Sequence, residues 1–152
     1  ESEYKLMADL KKLAVEKISF DLPEDFLKKW LLKANENATP EQIEKDFDNF
    51  KKDLKWQLIK NKLAKVNEIK ITEEDLVKEA ENITRFQFQQ YGLYYATDEQ
   101  ISKYAFETLK KEEDVKRIAD KILEERVIEL LKGIVKQESK KITTEEFNKL
   151  FE

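Results

Sequence analysis

The sequence predicts an all-α protein, with an elongated helical body and protruding helical-hairpin arms. Three observations carry that expectation. Apolar residues recur at three-or-four spacing along nearly all of the 152 residues, which is the signature of amphipathic helices. Only 2 glycines and 2 prolines occur, too few for a sandwich or barrel with a turn every ten residues or so. Between Pro40 and Asn67 nothing breaks the pattern, so this stretch reads as on the order of 40 Å of unbent rod, longer than a compact domain of this size is wide. The length suits a single domain over residues 1–152.

The elements follow in order. Leu6, Leu10, Leu13 and Ala14 share one face of a first helix from Glu3 to Lys17. An extended stretch, Ile18-Ser19-Phe20-Asp21-Leu22, leads to a second helix. Pro23 suits its first position, Glu24 and Asp25 suit the positive end of its dipole, and Phe26, Leu27, Trp30 and Leu31 form its stripe. Asn35-Glu36-Asn37 ends it. Thr39-Pro40-Glu41-Gln42 is a capping box that opens the long third helix, where Ile43, Phe47, Phe50, Leu54, Leu58 and Val66 keep helical spacing. Thr72 caps a fourth helix, with Asp75 three residues on, and Gly92 stops it. Thr97-Asp98 starts a fifth, running to about Lys111. The sixth, from Glu112 to Lys136, has a wide apolar stripe and should be the most buried, with Gly133 marking the close approach of a neighbour. A short capped helix from Thr143 to Phe151 closes the chain.

Composition excludes much chemistry. With no cysteine there are no disulfides, thiolate nucleophiles or ordinary zinc sites. With no histidine, the commonest general base and metal ligand is missing, so the serines lack a base and no cofactor is implied. Acidic neighbours such as Glu124 and Glu125 point in different directions around a helix and read as solvated surface. The formal charge is 29 − 33 = −4, and the lysine-rich stretch from Lys51 to Lys70 has no interleaved stacking aromatics, so nucleic acid is not the partner expected. No run approaches the roughly 20 apolar residues of a membrane span.

One segment stands out. In Phe86-Gln87-Phe88-Gln89-Gln90-Tyr91-Gly92-Leu93-Tyr94-Tyr95, half the residues are aromatic and none is charged. Phe86 and Phe88 lie about 200° apart around a helix, so one neighbour cannot bury both. Tyr104 and Phe106 repeat that two-apart placement. Several hundred Å² of exposed apolar surface normally has a partner. Burying about 400 Å² is worth roughly 10 kcal/mol gross, and association costs reduce this to on the order of micromolar affinity. Weak, sequence-tolerant capture of apolar chain suits a holding chaperone.

The order and spacing of several segments resemble a known family. Ile18-Ser19-Phe20-Asp21-Leu22-Pro23-Glu24-Asp25-Phe26 looks like its extended-then-proline connector. Lys62-Leu63-Ala64-Lys65-Val66-Asn67-Glu68-Ile69, Ile71-Thr72-Glu73-Glu74-Asp75-Leu76 and Ile142-Thr143-Thr144-Glu145-Glu146-Phe147 follow in the family's order. The chain resembles the C-terminal chaperone domain of bacterial trigger factor, whose arms are similar to the core of the periplasmic chaperone SurA. That resemblance implies an all-helical body whose two arms enclose a cradle for nascent or unfolded polypeptide. The client-facing positions it implies are Phe86, Phe88, Tyr91, Leu93, Tyr94, Tyr95, Ile101, Tyr104 and Phe106, with Leu58 and Ile59 on the inner face of the long arm. Nothing in the chain matches the family's ribosome-docking signature or its prolyl-isomerase domain. The expectation is therefore a non-enzymatic, cytoplasmic fragment of a longer protein that would reach the ribosome through its missing parts. Two alternatives stand beside this holdase reading. The aromatic surface could instead form a homodimer or docking interface, or the chain could be the core of an exported SurA- or PrsA-like protein.

Overall fold

The computed structural model describes residues 2–35, 38–136 and 143. Among them are six helices: α1 Ser2–Lys17, α2 Glu24–Ala34, α3 Pro40–Val66, α4 Glu73–Gln90, α5 Asp98–Leu109 and α6 Glu112–Ile134. The fold is all-α, as the periodicity requires. The closing helix expected from Thr143 to Phe151 lies outside the described residues, apart from Thr143 itself.

Local chemistry sets most of the boundaries. Thr39, Thr72 and Thr97 each accept a bond from the backbone three residues on, and Gln42, Asp75 and Gln100 accept one in return from the cap backbone. These reciprocal boxes satisfy donors that a helix start otherwise leaves unpaired. Pro23 sits one position earlier than expected, at the N-cap of α2, where its fixed φ of −74° still suits the approach. Both α3 and α4 end in a Schellman turn. Ile69 N–H donates to the Ala64 carbonyl at 2.9 Å and Leu93 N–H to that of Phe88 at 2.8 Å. The left-handed position is Gly92 (φ 76°) in α4 but Glu68 (φ 53°) in α3.

The helices make two clusters that follow one another along α6. In the first, Leu10 and Ala14 of α1, Trp56, Ile59 and Ala64 of α3, and Val127 and Ile128 of α6 are buried together. In the second, Ala80 of α4 and Ala105 of α5 meet Ile118 and Ile122 of α6. Because α6 joins both clusters, the molecule is long rather than round. By number of buried residues α6 does not exceed α3: Ile118, Ile122, Val127 and Ile128 stand against Phe47, Trp56, Ile59, Lys60 and Ala64. Gly133 has no neighbour within 4 Å of where a side chain would begin, so no close approach occurs there. It is exposed, as is Ile134 beside it, while Leu131 and Val135 on either side pack against the first cluster.

Helix α3 uses two opposite faces. Phe47 and Trp56 are about 180° apart. The first is buried beneath α2, with the ammonium groups of Lys28 and Lys51 over its ring at 4.8 and 5.2 Å. The second is buried in the body, where its indole N–H donates to Glu124. In the stripe expected through Leu58 and Val66, Leu58 continues the Phe47 face past the end of α2, while Val66 is the last residue of α3 and about 100° from that face. Both residues are exposed. Among the described residues α2 packs on α3 alone. Lys28–Glu44 (2.6 Å) and Lys51–Glu24 (2.9 Å) tie the two together, forming the first hairpin arm.

Candidate functional site

The α4–α5 hairpin carries the aromatic segment, and small residues explain why its rings lie outside. Ala80, Thr84 and Ala105 are buried where α4 meets α5 and α6. The Thr84 hydroxyl donates to the Ala80 carbonyl at 2.8 Å, so a polar side chain fits between the helices without an unpaired group. Ser102 donates to Glu81 at 2.5 Å and Arg85 pairs with Asp98 at 3.0 Å, closing the hairpin toward its turn. Alanine and threonine fill much of the seam, with Ile101 the large side chain buried on α5, and the aromatic rings stay outside it.

Helix α4 then ends at Gly92, and the chain crosses to Thr97 through a short turn. Here Tyr95 is 97% exposed, Tyr91 82%, Tyr94 72% and Phe86 60%, with Leu93 exposed beside them. From Phe86 to Thr97 there is no charged residue. Phe88 is half-buried, its ring edge-on to Tyr104 of α5 at 5.2 Å. The two-apart argument is met on both counts: Phe88 turns toward α5 and Phe86 toward solvent. The rings are therefore fixed at their base by a rigid hairpin and free at their faces.

Two expected positions are buried. Ile101 is buried in the seam of α5, one turn before Ala105, so it supports the tip from within. Ile59 is buried in the first cluster, about 100° around α3 from the exposed Leu58. The two differ in burial, yet both line one apolar groove. Phe106 is exposed but lies toward the far end of α5, lining a groove with Leu76, Val77, Leu109 and Val115. Leu58 lies on the other hairpin, in an apolar groove of about 340 Å³ lined also by Ile18, Phe20, Ile59, Lys62 and Leu63. The structure thus gathers Phe86, Phe88, Tyr91, Leu93, Tyr94, Tyr95 and Tyr104 at one tip and leaves Phe106 and Leu58 elsewhere.

Sequence reasoning missed Phe26 and Trp30, which it placed in the stripe that α2 buries. Both are exposed, while Leu27 and Leu31 are half-buried on α2. The signal lay in the width of the stripe. Residues 26, 27, 30 and 31 spread over about 140°, and a single neighbouring helix covers only part of that arc.

The family described as "probable trigger factor, C-terminal domain" matches residues 2–151. The chain belongs to the trigger factor C-terminal family. No curated protein and no solved structure matches it. The exposed tip therefore sits on the chaperone part of trigger factor, which is distinct from that family's prolyl-isomerase domain. Among the described residues no helix is long and apolar enough to cross a membrane.

Proposed function

We propose that this domain holds unfolded or nascent polypeptide, without ATP, on the uncharged aromatic tip of its α4–α5 hairpin. The observation that carries the reading is four rings, on Phe86, Tyr91, Tyr94 and Tyr95, left open on a hairpin whose own core is complete without them. Tyrosine offers a large contact area at low conformational cost, and its hydroxyl remains compatible with water between clients. Gln87, Gln89 and Gln90 add donors and acceptors that suit any backbone. Contact of this kind is broad, shallow and reversible, which favours capture followed by release.

In this reading the chain is one module of a longer cytoplasmic protein, itself without catalytic chemistry, with ribosome contact made by other modules. The second reading keeps the same surface but makes it a homodimer interface. The extreme exposure of Tyr95 in a single copy is the observation that allows it.

The test is suppression of aggregation of a denatured protein by the parent and by a Phe86→Ser, Tyr91→Ser, Tyr94→Ser variant. None of the three side chains is in a buried cluster, so helicity by circular dichroism should be unchanged while most of the protection is lost. Equal protection by the variant would remove the tip from the mechanism. A concentration-dependent sedimentation series separates the readings: a tight dimer that does not protect clients would favour the interface.

A further inference from the structure

The joint between α3 and the body holds a group that client capture does not use. The Lys60 side chain is completely buried. Its ammonium lies 2.5 Å from Asp120 and 3.9 Å from Glu124, one turn apart on α6. Glu124 also accepts the Trp56 indole N–H at 3.3 Å and pairs with Lys11 of α1. One point therefore ties α1, α3 and α6 together at the edge of the apolar cluster, where the buried lysine reaches a half-exposed Asp120 and a partly exposed Glu124.

Buried ion pairs are poor sources of net stability, because desolvation offsets the attraction. What they supply well is discrimination among packings. The neighbouring side chains Leu10, Ala14, Ile59, Ala64 and Val127 are aliphatic, and aliphatic surfaces tolerate small slides and rotations. An enclosed ammonium does not: a turn of slip or a modest rotation of α3 would leave it buried without a partner.

The joint matters because of what hangs from it. Among the described residues helix α2 packs on α3 alone, so the position of the first arm is set by how α3 leaves the body. Roughly 30 Å of helix separates Lys60 from Pro40, so a tilt of about 10° swings the arm's end by about 5 Å. We propose that the Lys60–Asp120–Glu124 cluster is a positioning device that fixes the angle and register of the α2–α3 arm relative to the α4–α5 tip. This rests on the α3–α6 joint and not on the client reading.

The chain has no cysteine, so Glu41→Cys and Glu99→Cys together place one spin label on each hairpin and nowhere else. Electron–electron distance measurement should give one narrow distribution for the parent. With Lys60→Met the thermal midpoint should hold or rise while the distribution broadens. Asp120→Asn with Glu124→Gln, which leaves the lysine in place, should broaden it too. A parent-like narrow distribution in both variants would overturn the proposal. Loss of fold in both would also overturn it, since the cluster would then be a stability element. If only Lys60→Met fails to fold, the Asp120→Asn, Glu124→Gln distribution decides.

Discussion

The two hairpins are built in opposite ways. In α2–α3 the helices meet around one large buried side chain, Phe47, clasped by Lys28 and Lys51, and no residue of α2 itself is buried. In α4–α5 small residues, Ala80, Thr84 and Ala105, bring the helices together beside Ile101, and a third helix, α6, covers the seam. The difference shows how a small domain can display aromatic surface without losing its fold. Close helix approach through Ala80 and Ala105 completes one hairpin with its rings to spare. The other needs its phenylalanine, which among the described helices is covered by α2.

The largest effect should come from removing that single anchor. Phe47→Ala is expected to cost about 3–5 kcal/mol locally. Amide exchange should accelerate throughout α2 and the first half of α3, while α4–α6 keep their protection. Uniform acceleration across all six helices would show that the arm is not a separate unit. A smaller contrast lies at the two Schellman turns. Gly92→Ala places a side chain in the left-handed region and should lower stability by about 1 kcal/mol. Glu68→Gly relieves the corresponding strain in α3 and should be neutral or stabilising, as read by chemical denaturation. Equal losses from the two changes would mean that backbone strain is not what these turns differ in.

The mildest effect is one of pH. At the start of α4, Asp75 accepts bonds from the Thr72 N–H and hydroxyl, both at 2.8 Å, and from Arg126 at 2.5 Å. These bonds, those from Thr72 first, hold its carboxyl at about 2, below the ordinary 3.8. A depressed carboxylate stabilises the fold above its unfolded value and ceases to as pH falls toward the folded one. Stability should therefore decline between pH 4 and about 2, and Asp75→Asn should flatten that decline. In the α2–α3 arm the sign is reversed for Lys51. Bonds to Glu24 and Asp48 raise its pKa above 10.5, so its contribution persists through neutral pH and is lost only in strong alkali.

Helix starts were legible in the sequence because a capping box is local: Thr39, Thr72 and Thr97 need only their own next three residues. The open tip was legible for a similar reason, since two rings on opposite sides of a helix are a fact of periodicity. What could not be read was which neighbour each face meets. Phe26 and Trp30 belong to an apolar stripe, and among the described residues α2 has no second neighbour to cover them. Ile59 and Leu58 differ by one residue and by burial, because α3 turns one side to α2 and another to the body. Lys60 reads as surface by residue type. Its spacing of four from Trp56 and from Ala64 placed it on the buried face all along.

The claim that most needs a direct measurement is that clients rest on the α4–α5 tip. A photoreactive phenylalanine analogue placed at Tyr95 should crosslink strongly to an unfolded polypeptide. The same analogue at Lys116, on the exposed charged face of α6, should crosslink weakly. Equal yields at the two positions, or a higher yield at Lys116, would contradict the account.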